Sequence, residues 1–189
     1  MIHRRGMFPI FFRTPPTEEE NTAICLSTIG SNKPFHCLAA KCIADLHLVG
    51  DTQCFPYYTY SPDGTNRHEN ITDWALTQFQ AKYTPAITKW DIFHYVYAML
   101  HHPQYRERYA ENLKHDLPHI PSLHTTEAFE SCVRIGKQLM DMHLNYELAE
   151  RYKLERLDNH DVPLSYYVEK MELSNDRRVV VVNESFRLG

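Results

Sequence analysis

Along the first third of the chain, apolar residues fall in short runs divided by turn formers. Thr22-Ala-Ile-Cys-Leu-Ser-Thr-Ile29 has the unbroken apolar character of a buried strand and ends at Gly30-Ser-Asn-Lys-Pro34, a turn. Phe35 to Cys42 can return beside it. Asp51 to Tyr60 predicts a third strand, with Pro56 confining it to a sheet edge or a bulge because proline gives no N–H to a ladder. Ser61-Pro-Asp-Gly64 turns the chain out, and Asn66 to Glu69 read as a polar loop.

The middle of the chain changes period. Asn70 or Thr72 can cap a helix on which Ala75, Phe79 and Tyr83 repeat every four residues. Thr88-Lys-Trp-Asp91 has the form of a capping box, with Asp in place of the usual Glu or Gln. Behind it Ile92, Phe93, Val96, Tyr97 and Leu100 make one apolar face. Pro103 suits the first turn of the next helix, lined by Tyr105, Tyr109 and Leu113 and stopped by Pro118 and Pro121. From about Thr126, the positions Phe129, Cys132, Val133, Gly136, Leu139, Met140 and His143 give the strongest helical periodicity in the chain. The tail returns to β, with Tyr166 to Leu173 and Arg177 to Asn183 around a Ser174-Asn-Asp176 turn. The expected fold is α+β, with short mixed or antiparallel β segments flanking a central helical bundle. One domain over 1–189 is expected, preceded by a flexible lead over 1–17.

Composition narrows the function. The chain has 189 residues, 43% hydrophobic and 12% aromatic, enough for a packed core rich in tyrosine. A formal charge of -4 lacks the overall basic surface of a free-standing nucleic-acid binder, so DNA contact would come from a local patch or a neighbouring domain. Five cysteines show neither a C-x-x-C pair nor zinc spacing with histidine, which predicts buried free thiols and a reducing, cytoplasmic setting. No signal peptide and no apolar run of membrane-spanning length is visible.

Twelve histidines raise the question of a metal, but no H-E-x-x-H or paired His-carboxylate spacing occurs. Phosphate-loop, nucleophile-elbow and Asn/Asp-Pro-Pro-aromatic signatures are missing too, so neither a catalytic residue nor a cofactor site is predicted. Candidate DNA contacts sit in polar connections. Ser31, Asn32 and Lys33 offer a hydroxyl, an amide and an ammonium. Gln53 can pair with an adenine edge through two hydrogen bonds, and Asn66-Arg67-His68 carries an arginine able to read guanine or clamp phosphate.

Several strings resemble one family in colinear order: Glu20 to Phe35, Ile43 to Leu48, Asp51 to Pro56, Asn70 to Ala75, Asp91 to Pro121, Asp141 to Glu147, Val168 to Met171 and Val182 to Glu184. The chain resembles, over some nine-tenths of its length, the C-terminal target-recognition (specificity) domain of Type ISP restriction-modification enzymes. The resemblance implies a target-recognition-domain-like fold and duplex DNA as ligand. It also implies methyltransferase and helicase domains as partners, S-adenosylmethionine held only in the methyltransferase domain, and a further helical stretch beyond Gly189. The expected role is non-catalytic specificity. The alternative is a protein-interaction piece docking through an aromatic face of Trp90, Phe93, Tyr97 and Tyr105.

Overall fold

The computed structural model describes residues 20–27, 34–61, 65–150, 153–168 and 171–189, which form two compact units, one through Leu148 and one from Ala149. The 1–17 lead lies outside the described residues. The first unit carries a three-stranded antiparallel sheet in the order β2-β1-β3, with β1 at Ala23–Ser27, β2 at Cys37–Ala40 and β3 at Thr52–Pro56. β1 is the central strand and is buried on both faces. Ile24 and Leu26 join the main core, while Ala23 and Cys25 pack with Ala40, Ala44 and Cys54 on the other side. This explains why β1 shows no polar alternation.

The predicted third strand divides. β3 ends at Pro56, on the sheet edge where a proline is tolerated. Tyr57 then leaves the ladder, donating its N–H to the Thr22 carbonyl at 2.7 Å and burying its ring completely. The next residues form β4 (Tyr58–Tyr60), which pairs antiparallel with β5 (Arg67–Glu69) in a separate ribbon. The loop expected at Asn66 to Glu69 is therefore a strand. Its residues are all exposed, so no apolar pattern marked it.

Among the described residues, five α-helices complete the first unit: α1 at Asp73–Lys82, α2 at Lys89–His101, α3 at Pro103–Arg108, α4 at Asn112–His115 and α5 at Thr126–Leu144. Their starts follow the sequence signals. Thr72 and Thr125 cap α1 and α5, and the Thr88/Asp91 capping box forms in both directions at α2. The single helix expected from Pro103 through Leu113 is two short ones separated at Tyr109 to Glu111, both ending before Pro118.

The core is aromatic. Tyr83 stacks on Phe129 with centroids 4.5 Å apart, and Tyr57 stacks on Trp90 at 3.6 Å. Phe93, Tyr97 and Tyr105 are buried and Trp90 is half-buried against them, so the face proposed for docking is interior. The buried phenols still need partners. Tyr105 donates to the His119 carbonyl at 3.0 Å, Tyr95 to that of Pro121, and Tyr83 to that of Leu123 at 3.0 Å. Alternate carbonyls of one extended strap, 117–123, are thus satisfied by side chains from three different places along the chain.

In the second unit, β6 (Arg156–Asp158), β7 (Glu172–Leu173), β8 (Val180–Val181) and β9 (Phe186–Leu188) form an antiparallel sheet in the order β6-β9-β8-β7. The expected hairpin is present but its ladder is two residues long, Glu172 against Val181 and Leu173 against Val180. Asn183, not a valine, organises the neighbouring turn. Its side chain donates to the Ser165 and Tyr167 carbonyls and accepts from the Ser185 and Phe186 N–H groups. All pairings among the described residues are antiparallel.

α2 and α5 cross closely at Gly136, where an added Cβ would overlap the His94 carbonyl, lying 2.8 Å from its carbon. Glycine to alanine normally strengthens a helix interior by up to about 1 kcal/mol. Here the sign reverses: G136A is expected to lower unfolding free energy by roughly 1–3 kcal/mol through overpacking, read from denaturant melts.

Near the same interface the Tyr97 hydroxyl lies 2.6 Å from His143 Nδ1, with the His101 ring beside both. Buried His101 Nε2 has no hydrogen-bond partner among the described residues. Burial first, then His143 and Arg106, push His101 down to about 4. Because the folded value lies below the ordinary one near 6.5, folding favours the neutral ring. That stabilisation is complete above pH 6.5 and drains away as pH falls toward 4. The urea midpoint should fall over that window, and H101L should make the fall shallower.

Candidate nucleic-acid interface

β1 sets the positions of the candidate contacts. At its C-terminal end the β1–β2 hairpin closes between Ser27 and His36: the Ser27 N–H donates to the His36 carbonyl at 3.0 Å, and the His36 N–H to Ser27 Oγ at 3.1 Å. Ser31, Asn32 and Lys33 lie in the connection between them, outside the described residues. Gln53 belongs to this end, because it pairs with Leu26 across β1–β3, one residue from the closure. It is half-buried. The Arg106 guanidinium donates to the Phe35 carbonyl and sits 5.7 Å from the Phe35 ring, adding a cation beside the hairpin's return.

The β4–β5 ribbon is attached at the other end of β1. Asn21, just before β1, donates to the Tyr58 carbonyl and accepts from the Tyr58 N–H, both at 3.0 Å. Register pairs Tyr60 with Arg67, Thr59 with His68 and Tyr58 with Glu69. Alternation puts Arg67 and Glu69 on one face with both tyrosines, and His68 with Thr59 on the other. Asn66 opens β5 in the left-handed region at φ 50°, which asparagine tolerates better than most residues. The structure therefore puts Arg67 and His68 on one exposed strand with Asn66 just before it, and leaves Gln53 elsewhere. β1 itself spans roughly 13 Å from Ala23 to Ser27.

The arginine is not a free cation. Its guanidinium is ion-paired with Glu20 and lies 4.4 Å above the Tyr58 ring centroid. Glu20 also accepts from the Tyr60 hydroxyl at 2.7 Å. The carboxylate holds Arg67 above its ordinary value, and a phosphate or guanine would have to compete with Glu20 for it. Sequence reasoning missed Glu20 and Tyr58 because nothing local links residues 20, 58 and 67.

Glu69 anchors the ribbon's other end. It accepts from the Tyr57 hydroxyl at 2.9 Å and pairs with Lys89 at 3.4 Å, while Lys89 also reaches Asp73 at 2.6 Å. Asp73 holds Lys89 up, and Lys89 holds Asp73 down. Lys89 is only 14% exposed at its side chain, so this cation is a fastener between β5 and the starts of α1 and α2. No group of three or more His, Cys, Asp or Glu side chains suited to a metal occurs among the described residues. None of their helices is long and apolar enough to cross a membrane.

Comparison with known proteins now bears on this geometry. Residues 1–189 match the family described as the Type ISP C-terminal specificity domain. The chain belongs to that family. Among solved structures it is similar to part of the DrdV–DNA complex seen by cryo-electron microscopy, with 36% identity and a TM-score of 0.82 over 97% of this chain and 19% of that one. It is also similar to a nuclease-deletion mutant of the Type ISP restriction-modification enzyme LlaGI in complex with a DNA substrate mimic, at 32% identity and TM-score 0.66, over 89% of this chain and 14% of that one. A third is the ATP-dependent Type ISP enzyme LlaBIII bound to DNA, at 28% identity and TM-score 0.71, over 89% and 11%. The specificity domain thus spans under a fifth of the length of each. No match is found among curated proteins.

The two ion-pair systems should separate in stability measurements. R67A and E20Q are expected to leave the thermal midpoint nearly unchanged, since exposed pairs contribute little. K89M should lower it more, because Lys89 is less exposed than Arg67 and bridges two carboxylates at once.

Proposed function

We propose that this chain recognises duplex DNA as the specificity module of a Type ISP restriction-modification system and does no chemistry itself. The observation that carries this reading is colinear similarity over 97% of the chain to a protein in complex with DNA, at 36% identity. In the proposal, the catalytic steps and S-adenosylmethionine belong to methyltransferase and helicase-nuclease domains outside these residues. The specificity domain supplies donors and acceptors aimed at base edges.

Two surfaces would share that work. The β4–β5 ribbon has the form needed, since a two-stranded ribbon fits the major groove. Asn66 and His68 would meet base edges there, with Thr59 beside His68. Arg67 would exchange Glu20 for a phosphate or guanine, so binding carries the cost of breaking one ion pair. At the far end of β1, Gln53 and the connection bearing Ser31, Asn32 and Lys33 would make the second contact. Net charge is -4, so the phosphate contribution comes from these few cations and from neighbouring domains.

A docking role also has support from exposure, on a different surface from Trp90 and its neighbours. Ile43, Leu46 and Leu48, between β2 and β3, are 50%, 55% and 46% exposed. The two readings diverge in salt dependence. Fluorescence anisotropy against a randomised duplex pool should show selection of a preferred sequence that weakens steeply with salt. Q53A should lose roughly 1–3 kcal/mol of discrimination at the base it reads, whereas K33A and R67A should each reduce the log–log salt slope by about 1. Three variants that bind like the parent would refute this placement of the contacts. Salt-insensitive capture of a methyltransferase partner with no duplex shift would favour docking.

A further inference from the structure

Cys25 and Cys54 face each other across the β1–β3 ladder as register partners, with their sulfurs 3.4 Å apart in hydrogen-bond contact. Directly opposed residues in an antiparallel pair have Cα atoms roughly 4.5–5.5 Å apart, inside the usual disulfide range of about 4.4–6.8 Å. Bond formation needs the sulfurs to close by about 1.4 Å, to near 2.05 Å. Cys25 is fully buried and Cys54 is half-buried. Hydrogen bonding with Cys25 lowers the Cys54 thiol despite its burial, while the same contact and burial raise Cys25. The other cysteines are placed differently. Cys37 packs on the opposite face of the sheet, in the main core, and Cys42 is exposed beyond the end of β2.

We propose that Cys25 and Cys54 form an oxidisable dithiol, a modification site in which a peroxide converts the pair to a disulfide joining β1 to β3. The Cys54 thiolate attacks the peroxide oxygen, giving Cys54 sulfenic acid and releasing hydroxide or alkoxide, which takes up the thiol proton. The Cys25 sulfur then attacks Cys54 Sγ. The sulfur–sulfur bond forms, the sulfenic S–O bond breaks, and the departing hydroxide takes the Cys25 thiol proton and leaves as water. The two thiols lose two electrons and the peroxide gains them. Cys54 is the oxidised sulfur because peroxide can reach it, and Cys25 resolves it because it is already in contact. The product ties the strand bearing Gln53 to the strand that leads into residues 28–33.

The test treats the full chain with hydrogen peroxide, blocks remaining thiols after unfolding, and maps peptides without reduction. The expected result is one intrachain Cys25–Cys54 disulfide, a mass loss of two hydrogen atoms, and a urea midpoint higher than that of the reduced chain. C42S should form the same bond. In C25S, dimedone should trap Cys54 as its sulfenic acid, and the intrachain bond should be lost. Recovery of Cys25 and Cys54 both alkylated from peroxide-treated wild-type chain would overturn the proposal. So would a disulfide mapped mainly to Cys37 or Cys42. Both readouts are made on the wild-type chain, so neither depends on a variant folding.

Discussion

A core built from tyrosine must find a partner for every phenol it buries, and this fold depends on how that demand is met. A segment laid along the surface of the core has the complementary problem, since its carbonyls lie outside any ladder. The strap at 117–123 and the tyrosines at 83, 95 and 105 solve both together. Each bond fixes a different stretch of helix against one reference line. Tyr57 extends the same logic to the ribbon: its ring stacks in the core beside Trp90 while its hydroxyl holds Glu69. The exposed strand is thereby fastened to the interior through Tyr57, with Lys89 holding the same carboxylate.

The α2–α5 contact supplies the rest of the rigidity. Gly136 lets α5 approach the backbone of His94, and two turns earlier Phe129 packs on Tyr95 of α2 and on Tyr83. The periodicity at Phe129, Gly136 and Met140 announced this helix clearly because one long face carries its buried and half-buried residues. The caps at Thr72, Thr88 and Thr125 were equally legible, since capping is a local matter of one hydroxyl and a nearby N–H.

Elements fixed by distant partners were not legible. β5 is three polar residues whose strand character comes from pairing with Tyr58–Tyr60 and from the Glu20, Tyr57 and Lys89 contacts, none adjacent in sequence. The aromatic face on α2 looked like a surface because helical spacing reveals a face and not what covers it. The candidate contacts share only their chemistry, and among the described residues the fold puts Gln53 and the 66–68 segment toward different ends of one strand. Arg67 illustrates the difference between an available charge and a committed one: its partner lies 47 residues away. Family resemblance was the part of the function most open to sequence, since it rests on word strings over most of the chain and not on any one side chain.

The strand order of the second unit has a consequence for how the chain comes into being. β9 lies between β6 and β8, so the strand made last of the four occupies an interior position of the sheet. Arg156–Asp158 has its ladder partner only in Phe186–Leu188, and the β7–β8 ladder before them is two residues long. β6 must therefore wait until Phe186–Leu188 has been made before this sheet can close. The β1–β3 sheet faces no such delay, because its members are complete by Pro56. Synthesis alone thus imposes an order, with the pairing of β6 waiting on the synthesis of β9.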